Sequence, residues 1–305
     1  MKITKAIIPV SVLLLLVTAC KKDDPLGSVD NIPGLGGDTW VPGIIDKWIV
    51  DNLTTPYNIG VKYKWDQGEL NFDFNKTLVP PKEEKVIPLM GAINLAWIKP
   101  YITEAGILFF KRISPKFFIL VGSPAFERGA VKLGTAEGGR KVTLYDVNNF
   151  RIKGMLGYVL SDTDNVKRVF ATIHHEYAHI LDQNIKVPVE FSQSSAIAYT
   201  SDWLNVSAED ARNEGFISSY AISAKDEDWA EMVSLMLVEG KAWFDQYVDG
   251  INYAGTTANG TTAVVAKARL RQKEAVVVSY FKQAWNIDFY SLQARSKSAI
   301  NALLY

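Results

Sequence analysis

The chain has 305 residues, 33 Lys and Arg against 33 Asp and Glu, and 48% hydrophobic residues. That balance leaves no basic footprint for nucleic acid, the apolar content suffices for a sizeable core, and the length allows one large domain or two small ones. A single Cys excludes an intramolecular disulfide, so packing must hold the fold together.

Lys2 and Lys5 precede an apolar run from Ala6 to Val17, too short for a permanent membrane span but suited to a signal-peptide core. The run ends in Val17-Thr18-Ala19-Cys20, which resembles a bacterial lipobox. That resemblance implies cleavage before Cys20 and a lipid on Cys20, with residues 1–19 as the signal peptide. Loss of Lys2 and Lys5 takes Lys plus Arg from 33 to 31 against 33 acids, a net charge of about −2. Lys21-Lys22-Asp23-Asp24 resembles the tag that sends Bacteroidetes-type lipoproteins to the outer face of the outer membrane. The expected location is therefore the outer membrane, lipid-anchored at the cell surface. Residues 20–37, rich in Gly, Pro, Asp and Ser, read as a flexible tether, and residues 38–305 as the folded domain.

Within that domain, Trp40 to Asn52 has helical apolar spacing, and Tyr57 to Trp65 alternates as a strand does. Glu83 to Thr103 reads as a long helix and Phe117 to Gly122 as a short buried strand. Arg140 to Val147 alternates around Val142 and Leu144 and precedes the histidine helix, so it is expected as an edge strand bordering a cleft, open to an extended peptide.

From residue 161 the signals are nearly all helical. Ser161-Asp-Thr-Asp offers N-cap candidates. Val166, Val169, Phe170, Ile173, Tyr177, Ile180 and Leu181 then recur at three- and four-residue spacing and define one apolar face. The three His of the chain, His174, His175 and His179, all lie on this helix. His175 and His179 are one turn apart and point away from the centre of the apolar face, which weakens their reading as core residues. His175-Glu176-Tyr177-Ala178-His179 is an HExxH motif. Two imidazoles one turn apart can hold one Zn²⁺ from one side, leaving places for a third ligand and a water. Glu176, beside the first imidazole, can take the proton of that water without binding the metal. His174 has Ala178 four positions on and reads as a flanking residue. Asp182 shares the histidine face and reads as solvated surface.

A second helix begins near a capping-box-like Ser223 and Asp226 and ends near Gly240. Trp229, Val233 and Met236 form its apolar stripe. Glu227 and Glu231 lie one turn apart on another side, and either carboxylate can approach a metal. Gly255 to Thr262 reads as a mobile loop, and Ala263 to Trp285 and Phe289 to Leu304 as two closing helices. Strands first and helices after predict an α+β fold: a small N-terminal sheet, the histidine helix, and a mostly helical C-terminal half.

HExxH followed by Glu227-Asp228-Trp229-Ala230-Glu231 resembles the gluzincin metallopeptidases, and their zincin-like fold is implied with it. The site pattern is similar to the catalytic domain of anthrax lethal factor, where a Tyr stands seven residues before the ligand Glu, as Tyr220 stands before Glu227. The resemblance implies Glu227 as third ligand, Tyr220 as hydrogen-bond donor to the oxyanion, and Glu231 as a carboxylate orienting a ligand His. With the lipobox, the chain also resembles the zinc-binding metallopeptidase lipoproteins associated with TonB-dependent importers and SusD-like partners. A peptide or protein substrate, a Zn²⁺ cofactor and such an importer partner are what this implies. The competing reading is an accessory lipoprotein that binds a peptide or glycan and keeps the zinc-site shell without catalysis. Glu176 argues against it, because chemistry needs that residue and binding does not.

Overall fold

The computed structural model describes residues 41–66, 68, 78–127, 130–132, 134–137 and 140–305. The chain divides after Pro42, and every element below belongs to the unit Gly43–Tyr305. The expected signal peptide, Cys20 and the tether lie outside the described residues.

Helix α1 (Ile44–Ile49) widens into i→i+5 turns over Val50–Thr54 and closes at Thr55–Tyr57. Asn58 stops it in the left-handed region at φ 60°, which an Asn side chain tolerates. The helix thus takes Tyr57, and the strand expected over Tyr57 to Trp65 shrinks to β1 (Gly60–Lys62). The long helix expected from Glu83 is present as α2 (Glu83–Ile93), a wide-turn stretch (Asn94–Ile98) and α3 (Lys99–Ile113), so it runs beyond Thr103. Gly106, at φ +82° and ψ 161°, kinks α3 with a backbone that suits glycine alone.

The strands that follow are β2 (Phe117–Leu120), β3 (Ala125–Glu127), β4 (Ala130–Lys132), β5 (Gly134–Glu137) and β6 (Lys141–Leu144). Four of them form a mixed sheet in the order β1-β2-β6-β5, with β5 antiparallel to β6 and the other pairs parallel. β3 and β4 pair separately. The buried run Phe118, Ile119 and Leu120 suits an interior parallel strand. The strand read over Arg140 to Val147 is not an edge: β6 pairs with β2 on one side and β5 on the other, so a peptide has no free ladder there. Alternation reveals which face of a strand is buried but not the order of strands, which is why this expectation failed. The edges are β1 and β5, and Gly134 of β5 lies so close to Thr172 of the histidine helix that a Cβ would collide with it.

The helical half comprises α4 (Asp162–Asn184), α5 (Ala208–Asn213), α6 (Lys225–Glu239), α7 (Lys241–Asp249), α8 (Ala263–Trp285) and α9 (Phe289–Leu304). The expected α+β class is therefore present. Helix α4 buries Val166, Phe170, Ile173, Tyr177, Ile180 and Leu181; Tyr177 packs on Trp97, Tyr101 and Phe110 of the α2–α3 rod, and the helix packs along α6. Trp229 of α6 donates its indole N–H to the Ala178 carbonyl at 3.1 Å and pins the two helices together.

One local expectation is corrected and another refined. Ser223 does not cap α6: it falls in a 3₁₀ turn (Ala221–Ser223), Ala224 is the N-cap, and no side chain closes a capping box. Gly255 to Thr262 is a loop, as expected, and it is anchored near its end. Thr261 is buried, donates to Glu214 Oε2 at 2.6 Å and accepts from Arg269 at 2.9 Å, while Asn259 donates to Glu214 Oε1 at 3.1 Å. These partners are distant in sequence, so the sequence shows the loop but not its anchors.

Candidate metal centre

The site lies between α4 and α6, where the face of α4 opposite its core meets the first two turns of α6. The sequence places His175 and His179 one turn apart, and α6 brings a carboxylate to both. His175 Nε2 is 3.0 Å from Glu227 Oε2 and 3.1 Å from His179 Nε2, and His179 Nε2 is 3.4 Å from Glu227 Oε2. A tetrahedral Zn²⁺ about 2.0–2.1 Å from each ligand sets ligand atoms about 3.3 Å apart, so the three donors already stand at the spacing such an ion requires. Among the described residues this is the one group of His, Cys, Asp and Glu with metal-ligand convergence.

The pair is more enclosed than a helix face turned from the core suggests. His175 and Glu176 are buried, and His179 and Glu227 half-buried, because α6 and the turn before it cover that face. Glu231, one turn after Glu227, receives His175 Nδ1 at 2.9 Å. A carboxylate accepts, so the His175 Nδ1 carries the proton and Nε2 faces the cluster. Burial disfavours the imidazolium of His175, but hydrogen bonds to Glu227 and Glu231 outweigh it and raise its pKa to about 10. Glu227 shifts the opposite way: burial alone would raise it, yet its bonds to His175 and His179 hold it well below the usual carboxylate range.

Tyr220 stands beside this cluster, its ring stacked on His175 with centroids 5.9 Å apart and edge-on to Trp203 at 4.8 Å. Burial and the adjacent Glu227 carboxylate push its hydroxyl well above the ordinary phenol range, so it remains a donor. Asp182 takes no part: it closes the end of α4 by accepting from Val187 N–H at 2.9 Å and from Lys186 at 2.6 Å. His174 flanks the metal pair and stands outside its cluster. It is fully buried beside Tyr101, neither ring nitrogen has a hydrogen-bond partner, and burial pushes its pKa down to about 3.

Two features escape a reading of the sequence. Ser218 Oγ donates to Glu231 Oε2 at 2.6 Å. On an adjoining face of α6, Asp228 pairs with Lys273 of α8 at 2.7 Å, both fully buried, and Tyr199 donates to the same carboxylate oxygen at 2.8 Å. Lys273 also donates to the Gly215 carbonyl at 3.0 Å and stands 4.0 Å from the Phe216 ring centroid, so its donors are directed as an ammonium requires. A lysine on a long helix gives no signal of such a role in the sequence.

An α+β fold with a His/His/Glu cluster held between two helices defines a class of metal-binding hydrolases. The chain belongs to the family described as "Putative zinc-binding metallo-peptidase", which matches residues 38–290. A crystal structure of "a putative zinc-binding metallo-peptidase from Bacteroides caccae" is similar to it at 29% identity and a TM-score of 0.65, covering 86% of this chain and 95% of that one. No curated protein matches the chain significantly.

Proposed function

We propose that the chain is a zinc peptidase in which His175, His179 and Glu227 hold the metal and Glu176 is the general base. The observation that carries this reading is the convergence of the two Nε2 atoms and Glu227 Oε2 at 3.0–3.4 Å, with Glu176 on the same turn of α4. Bound zinc would lower the pKa of a water to about 7 and polarise a peptide carbonyl. Glu176 accepts the water's proton and delivers it to the leaving amine. Tyr220, kept protonated beside Glu227, donates to the oxygen on which negative charge develops. Glu231 fixes the ring of His175 through Nδ1.

The substrate is a peptide or protein. By the resemblance of its N-terminus, the protein is lipid-anchored through Cys20 on the outer face of the outer membrane, beside a TonB-dependent or SusD-like importer. Cys20→Ala would release it from the membrane fraction or stall its processing, and protease shaving of intact cells would remove the wild type. Protection from shaving would place it on the inner leaflet.

The test of the chemistry is Glu176→Gln. The variant should keep about one zinc per chain while turnover of a generic metalloprotease peptide substrate falls about 10²–10⁴-fold. Unchanged turnover, or loss of the zinc, would remove Glu176 from the role of base.

A further inference from the structure

Tyr220 and His175 belong to different parts of the chain, and one hydroxyl touches the supports of both. Ser218 Oγ is 2.6 Å from Glu231 Oε2, and Glu231 Oε1 is 2.9 Å from His175 Nδ1. The same Oγ is 3.1 Å from the backbone nitrogen of Ala221, the first residue of the 3₁₀ turn whose N-cap is Tyr220. Chemistry fixes each direction. A carboxylate accepts, so the Ser218 hydroxyl donates to Glu231; an amide N–H donates, so the oxygen of Ser218 accepts from Ala221. Ser218 is half-buried, and its one hydrogen and one of its lone pairs are both engaged.

We infer that Ser218 is a positioning residue of the metal centre. Through Glu231 it sets the plane of the His175 ring, and through Ala221 it sets the turn that presents Tyr220. Three bonds thus run in series from the oxyanion side to the metal side: Ala221 N–H to Ser218, Ser218 to Glu231, and His175 Nδ1 to Glu231. With one oxygen engaged by Ser218, the Glu231 carboxylate cannot rotate to offer that oxygen to the metal. Its other oxygen stays on Nδ1, and Nε2 stays directed at His179 and Glu227. This separates the roles of two neighbouring glutamates that local sequence cannot tell apart. The inference rests on His175, His179 and Glu227 being the metal ligands.

The test is a double-mutant cycle read as zinc affinity, by competition with a chromophoric chelator on the purified protein. Ser218→Ala should weaken zinc binding about 10-fold, toward the low end of the 10–100-fold range for groups that orient a ligand. In a Glu231→Ala background the same substitution should change the affinity by less than about twofold, because the link through which Ser218 acts is already gone. Ser218→Thr and Ser218→Val have the same shape and differ in the hydroxyl, so they decide the matter even if the alanine variant folds poorly. Thr should retain wild-type affinity within about threefold, and Val should lose as much as Ala. Wild-type zinc affinity in Ser218→Val, or an undiminished Ser218→Ala penalty in the Glu231→Ala background, would overturn the inference while the metal site stands. A wild-type protein that binds no zinc would overturn the site itself.

Discussion

The two charged faces of α6 solve one problem in opposite ways. Glu227 and Glu231 face a half-buried cluster with His175 and His179, a donor set that a divalent cation would complete. Asp228, the next residue after Glu227, faces fully buried Lys273, a cation that belongs to the fold. Burial pushes Lys273 down and Asp228 up, and their mutual attraction opposes both shifts. One face is built to exchange its cation and the other to keep it. The fixed ion pair ties the first turn of α6 to α8 one residue from Glu227.

The largest effect should come from breaking the fixed pair. Lys273→Met strands the Asp228 carboxylate in the core and should cost about 3–5 kcal/mol of unfolding free energy, measured by urea titration. Adding Asp228→Leu should recover most of that loss. If the double variant is as unstable as the single one, the pair contributes something other than charge compensation.

The exchangeable face should behave differently. Glu227→Ala should keep the fold and lose zinc after dialysis against a mild chelator, whereas Glu231→Ala should bind zinc about 10–100-fold more weakly and stay partly active. An empty Glu231 variant beside a loaded Glu227 variant would reverse the two roles. Zinc at 100 times its Kd should raise the unfolding free energy of the wild type by about 2.7 kcal/mol and leave Glu227→Ala unchanged.

Acidity separates the two adjacent histidines. In the metal-free protein the pKa of His175 is raised to about 10, above its unfolded value of 6.5. Its contribution to stability is therefore fully present below pH 6.5 and is lost as the pH rises through about 10. Zinc must displace one proton from it, so zinc affinity should rise about tenfold per pH unit between roughly pH 7 and 9. A flat affinity across that range would mean that His175 is already neutral. His174 has the reverse sign. Its folded pKa lies near 3, so stability is lost as the pH falls below 6.5, by about 1.4 kcal/mol per unit. His174→Phe should remove that slope in acid unfolding and leave zinc binding at pH 7 unchanged.

Much of the candidate site was legible without tertiary structure. Two imidazoles and a carboxylic acid on one helix turn are a local pattern, and helical periodicity alone puts His175 beside His179. The apolar stripe of α4 and the breadth of the helical half follow from the same periodicity. The pairing of Glu227 and Glu231 on one side of α6 was equally local, although the choice between them needed the resemblance of the Tyr220 spacing.

What the sequence could not determine was every contact made at long range. His174 lies 100° around the helix from His175, and only the packing of Tyr101 against that position makes it a core residue. β6 alternates whether it lies inside a sheet or at its edge, and only its pairing with both β2 and β5 makes it interior. Ser218 reaches Glu231 across a turn, and Lys273 reaches Asp228 from another helix, 45 positions away by subtraction. Periodicity reports which way a side chain points from its own element. Which group it meets there depends on how the elements pack, and that is set by the whole core at once.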